Sequence, residues 1–106
     1  MDLTSENRIL SFKDICEIVA PVAKEHRVLS MYLFGSRARD DGNDESDFDF
    51  CVAVPDGYTL MDLGSLLNDL EIALKKKVDI VCEDDLPRRP SFMEEVMHDR
   101  RAVFEA

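Results

Sequence analysis

Apolar positions along the chain change their spacing several times, and each change marks an element. From Phe12 to about His26, the residues Phe12, Ile15, Cys16, Ile18, Val19, Val22 and Ala23 recur at helical intervals. Ser11 stands where an N-cap belongs and Asp14 follows three residues on, the capping-box pattern. Pro21 should kink or shorten this helix, since a proline in mid-helix removes a backbone donor. "RVLSMYLF" is too short for a self-sufficient helix, rich in β-branched and aromatic residues, and ends at Gly35, which predicts a strand. "FDFCVAV", Phe48 to Val54, predicts a second strand, and Pro55 to Gly57 a turn.

Thr59 can cap a further helix in which Leu60, Leu63, Leu67, Leu70 and Leu74 form one stripe. Lys75, Lys76 and Lys77 suit its negative C-terminal end. "VDIVC", Val78 to Cys82, is a third short strand. Ser91 and Glu94 are spaced as a capping box for a last helix bearing Phe92, Val96 and Met97, and Ala102 to Phe104 suits an edge strand. The order predicts an α/β fold, a small mixed β-sheet flanked by helices, with the strand order left open. Met61, Met93 and Met97 are expected in the core, and His26 and His98 at the surface without a role.

The length of 106 residues suits a single domain, residues 1–106. Hydrophobic residues make up 45%, yet no apolar run approaches the ~18 residues of a membrane span, so a soluble, cytoplasmic protein is expected. The N-terminal segment lacks the apolar stretch of a signal peptide. With 23 acids against 13 bases, the net charge of −10 disfavours a long nucleic acid as partner. Cys16, Cys51 and Cys82 are odd in number and widely spaced, as expected of small core residues in a reducing compartment.

Those acids concentrate just before and within the second strand, in "RDDGNDESDFDF". A solvated loop is the usual fate of such a run. A calcium loop would need acids alternating up to a glycine and a closing Glu, which this stretch lacks. Asp47 and Asp49, two residues apart in an extended chain, project to one face roughly 6.8 Å apart, with Phe48 and Phe50 on the other. If the third strand lies beside the second, Asp79 joins them. Two such charges ~5 Å apart repel by about 3 kcal/mol at an effective dielectric of 20, a large share of a small domain's stability. A divalent cation such as Mg²⁺ would relieve the repulsion and carry the phosphates of a nucleotide, giving a phosphoryl-transfer site. Gly35 and Ser36 can hold a phosphate by close backbone approach and a hydroxyl, and Arg37 and Arg39 can bind phosphate charge.

Gly35-Ser36, ten intervening residues, then Asp47-Phe48-Asp49 resemble the G-S-x10-D-x-D signature of the polymerase-beta-like nucleotidyltransferase superfamily. The flanking "YLFGSRAR" is similar to its minimal nucleotidyltransferase (MNT) branch, and Asp79 in "KKVDIV" falls where that branch carries a third acid. Asp40 stands where the branch commonly has a glycine. The resemblance implies a polymerase-beta-like fold and metal-dependent transfer of a nucleoside monophosphate from a triphosphate to a hydroxyl. Gly35 and Ser36 would hold the terminal phosphates, with Arg39 as a further phosphate contact. Asp47 and Asp49 would bind the metal ions, Mg²⁺ or Mn²⁺, and Asp79 would bind the catalytic metal and assist deprotonation of the acceptor.

The resemblance further implies a small helical HEPN-type partner, forming a toxin–antitoxin pair in which AMP passes from ATP to a tyrosine of the toxin. A protein of ~100 residues spends most of its chain on sheet and helices, so a docked partner is expected to bring the hydroxyl. Two readings use the same residues: an antitoxin acting by complex formation without catalysis, and the catalytic subunit of a two-chain transferase for a small molecule.

Overall fold

The computed structural model describes residues 10–35 and 47–106. Helix α1 spans Phe12–Glu25, strand β1 Ser30–Phe34, strand β2 Phe48–Ala53, helix α2 Leu60–Leu74, strand β3 Val78–Cys82, helix α3 Pro90–Asp99 and strand β4 Arg101–Glu105, with a 3-10 helix over Glu83–Arg88. The sheet order is β3-β2-β1-β4. β1 runs antiparallel to β2 and β4, and β2 parallel to β3, so the sheet is mixed as expected. The parallel pair needs a crossover, and α2 supplies it.

The caps at Ser11 and Thr59 form as the sequence predicts. Asp14 N–H donates to Ser11 Oγ at 3.0 Å while Ser11 N–H donates to Asp14 Oδ2 at 3.1 Å. Thr59 and Asp62 repeat the exchange at 2.8 and 3.1 Å, so each helix satisfies two of its free first-turn donors. Lys75 ends α2 in the left-handed region, φ 58°, and its N–H donates to Glu71 O at 2.8 Å.

Pro21 does not shorten α1, which continues to Glu25. Val19, Val22 and Ala23 pack into the core on either side of the proline, and that burial outweighs one missing backbone bond. β1 starts later than expected, at Ser30. Residues 27–29 are spent on the turn: Arg27 takes φ 62°, and Val28 N–H donates back to Ala23 O at 3.0 Å.

Strand alternation sorts the sheet into two faces. Phe48, Phe50, Val52, Met31 and Leu33 are buried against α1 and α2, which contribute Ile15, Val19, Leu66, Leu70 and Leu74 to one core. Phe34 and Cys51 face the other way, with Leu86 and Val96 from the 3-10 helix and α3, joined by Tyr32, Val81, Phe92 and Met93.

Several expectations are corrected here. Leu60 is 84% exposed, because the buried stripe of α2 runs through Leu66, Leu70 and Leu74 and Leu60 falls outside it. Met61 and Met97 are exposed as well, while Met93 packs in the smaller cluster. Ser91 is no cap: α3 begins one residue earlier, at Pro90, whose fixed φ suits a first helical position. His26 is largely covered, its Nε2 lying 2.7 Å from Asp69 Oδ2, whereas His98 is exposed as expected.

The two leucines of α2 should therefore respond oppositely to truncation. In urea denaturation, Leu70→Ala is expected to cost about 2–5 kcal/mol, and Leu60→Ala to stay within about 0.5 kcal/mol of the parent.

Candidate active site

The burial of Phe48 and Phe50 orients the acids between and before them. Both rings are fully buried and stack face to face, centroids 6.0 Å apart and 3° from parallel. Asp49 is thereby turned to the opposite face, flanked in register by Phe34 of β1 and Asp79 of β3. Asp79 shares that face because the parallel pairing sets the two residues directly opposite. Asp47 precedes the strand and is exposed, as is Asp79, while Asp49 is half-buried. The three carboxylates thus share one face and one end of the sheet, without closing into a tight cluster.

Two hydrogen bonds fix β3 at the site. Glu71 Oε2, in the last turn of α2, accepts from Val78 N–H at 3.0 Å, and Phe48 N–H donates to Lys77 O at 3.1 Å. They hold the residues beside Asp79 and Asp49, so the crossover helix itself sets the register of the two acids. Glu71 was not legible as a site-positioning residue, since only the fold brings it to Val78.

Gly35 closes the other side. It ends β1 with φ 78°, and a Cβ at that position would lie 2.5 Å from Asp49 Oδ2. The carboxylate abuts the Gly35 backbone where a side chain would otherwise sit, so both conformation and space demand glycine. Ser36, Arg37 and Arg39, the remaining phosphate-binding expectations, lie outside the described residues.

The electrostatics agree with this crowding. Burial raises the Asp49 carboxyl above its ordinary range, and the charges of Asp79 and then Asp47 push it further the same way. The donor set consists of carboxylate oxygens, one of them partly desolvated, beside a bare glycine backbone. That chemistry fits a hard divalent cation such as Mg²⁺ or Mn²⁺.

Part of this face is covered by α3. Phe92 meets Phe34 edge-on with centroids 5.7 Å apart, the Arg89 guanidinium lies 4.4 Å from the Phe92 centroid, and Arg100 stacks 4.1 Å from the Tyr32 centroid. A cavity of about 170 Å³ opens beside β3, starting one residue past Asp79 and lined by Ile80, Val81, Leu86, Arg89 and Phe92 among others. No spacing in the sequence connects these arginines to the acids.

A four-stranded mixed sheet with a glycine turn abutting one strand acid and a third acid across a parallel pair is a nucleotidyltransferase arrangement. The family model for polymerase beta nucleotidyltransferases matches residues 17–106, and the chain belongs to that family. It is 33% identical over 72 residues to a Methanocaldococcus jannaschii protein named for protein adenylyltransferase activity, covering 68% of this chain and 77% of the relative. A solved structure whose name assigns it to the minimal nucleotidyltransferases superposes with a TM-score of 0.71 at 33% identity, over 95% of each chain. The fold also matches, at TM-score 0.68 and 17% identity over 91% of this chain and 74% of the other, a Shewanella oneidensis complex of a tri-AMPylated HEPN toxin with its MNT antitoxin.

The raised Asp49 carboxyl makes a signed prediction. The folded state holds this proton more tightly than the unfolded chain, so the destabilising contribution is fully present above the folded pKa. It is relieved as pH falls through that value toward the ordinary carboxylate range. Asp49→Asn is expected to match or exceed the parent in urea stability at neutral pH, with the advantage shrinking on acidification. A neutral-pH loss of stability in Asp49→Asn would make the carboxylate a structural group instead.

Proposed function

We propose that this protein transfers AMP from ATP to a tyrosine hydroxyl of a small helical HEPN-type toxin, and so acts as the antitoxin of the pair. The observation that carries the reading is the register of Asp49 with Asp79 beneath a glycine that leaves room for the carboxylate. Family membership and the adenylyltransferase name of the Methanocaldococcus relative support nucleotidyl transfer. The AMPylated toxin held by the Shewanella antitoxin, a protein of the same fold, supports the acceptor.

In this reading Gly35 and Ser36 hold the terminal phosphates of ATP, with Arg39 as a further phosphate contact. Asp47 and Asp49 hold Mg²⁺ or Mn²⁺, with Asp79 as a third ligand. The bound metal supplies neutralisation of phosphate charge and orientation of the oxygens around phosphorus. Gly35 lies on the β1 side of Asp49 and Asp79 on the β3 side, which supports a reading with the leaving phosphates on one side and the acceptor on the other, as in-line displacement requires. Asp79 accepts the hydroxyl proton, the tyrosine oxygen bonds to the α-phosphorus, and the bond to pyrophosphate breaks. The docked partner brings the acceptor hydroxyl to Asp79, which is exposed on the edge strand β3.

None of the helices among the described residues is long and apolar enough to cross a membrane, which is compatible with work in the cytoplasm beside a soluble toxin.

Incubation with ATP, Mg²⁺ and the genetically adjacent helical partner should add AMP units to that partner and release pyrophosphate, read by intact-mass spectrometry. Asp79→Asn should stop the addition while leaving the two-protein complex intact on gel filtration. If the partner stays unmodified and Asp47→Asn still neutralises its toxicity, the protein acts by complex formation alone.

A further inference from the structure

On the opposite face of the sheet from the aspartates, the C-terminal end of α1 meets the middle of α2 through a second set of metal-ligating groups. Glu25 is the last residue of α1, His26 follows as its C-cap, and Asp69 lies on α2. One ligand atom from each lies within 4.8 Å of the other two, the tightest such trio among the described residues. We propose that Glu25, His26 and Asp69 form a Zn²⁺ site that staples α1 to α2, distinct from the nucleotide site.

Separation of the two sites follows from the strands. His26 precedes β1, whereas Gly35 ends it, so the sites are offset by roughly the 17 Å length of a five-residue strand as well as by the thickness of the sheet. A cation bound at one does not share ligands with the other.

The donor chemistry selects the metal. One imidazole and two carboxylates are the ligand types that Zn²⁺ takes in three-ligand sites, with water completing a tetrahedron, while Mg²⁺ prefers oxygen alone. His26 Nε2 and Asp69 Oδ2 stand 2.7 Å apart with a proton between them. Ligands of a tetrahedral Zn²⁺ sit about 3.3 Å apart, so replacing that proton by the metal opens the pair by only about half an ångström.

Preorganisation and charge favour the same occupant. The imidazole is only 16% exposed, and Tyr58 O–H donates to His26 O at 2.8 Å, anchoring the residue's backbone. The α1 C-terminus presents the negative end of its dipole to the site. Arg27, the neighbouring cation, is turned to the Tyr58 ring and to Asp62, at 5.6 and 3.8 Å, which leaves the two carboxylates and the imidazole for a divalent ion.

Isothermal titration of the full chain with Zn²⁺ tests the site, with Co²⁺ as a visible-absorption probe of coordination. One equivalent should bind, with the Co²⁺ complex showing the intense bands of a four-coordinate ion. Binding should persist in Asp49→Asn and weaken at least about tenfold in Asp69→Asn and in Glu25→Gln. Glu25 is exposed, so its variant should keep the parent far-UV circular dichroism and decides the case even if Asp69→Asn unfolds. No binding by the parent, an isotherm unchanged in Glu25→Gln, or binding lost in Asp49→Asn would overturn the proposal. None of these outcomes bears on AMP transfer.

Discussion

Phe48 and Phe50 cannot be buried together without turning Asp49 to the opposite face, and most of the molecule follows from that constraint. Burying two phenyl rings stabilises the fold by about 3–6 kcal/mol, whereas like charges ~5 Å apart cost about 3 kcal/mol at an effective dielectric of about 20 and less where water reaches them. The rings win, so the strand forms with its acids set against each other. The four residues Asp47 to Phe50 thus fill the core on one side and gather carboxylates on the other.

The two faces divide the work accordingly. α1 and α2 cover one with the larger apolar core, which includes Phe48 and Phe50. The other carries a smaller cluster of Phe34, Cys51, Leu86 and Val96, which leaves Asp79 exposed and Asp49 half-buried at the end of the sheet. Burial also pushes the Cys51 thiol up to about 11, so this cysteine beneath the site stays a protonated, unreactive packing residue.

α2 links the faces. As the crossover between parallel strands it is required by topology, but its last turn also reaches the site, since Glu71 bonds the amide just before Asp79. Its middle turn holds Asp69 against His26, tying it to α1.

Local patterns made much of this legible from the sequence. Capping chemistry at Ser11 and Thr59 acts within four residues, and strand alternation in Phe48–Phe50 acts within three, so neither needs a tertiary partner to be read. The Gly-Ser and Asp-x-Asp spacing carried the family, and with it the candidate aspartates. Where exposure depended on what lies across the fold, the patterns misled: Leu60 continues the leucine spacing of α2 but lies off its buried stripe, and Ser91 matches a capping box that Pro90 pre-empts. Sequence alone determined which residues could carry charge, cap a helix or fill a core, because those are properties of side chains and their near neighbours. Only the tertiary structure decided that β2 pairs in parallel with β3, that Asp79 therefore stands level with Asp49, and that His26 meets Asp69, because contacts between residues dozens of positions apart depend on how whole faces pack.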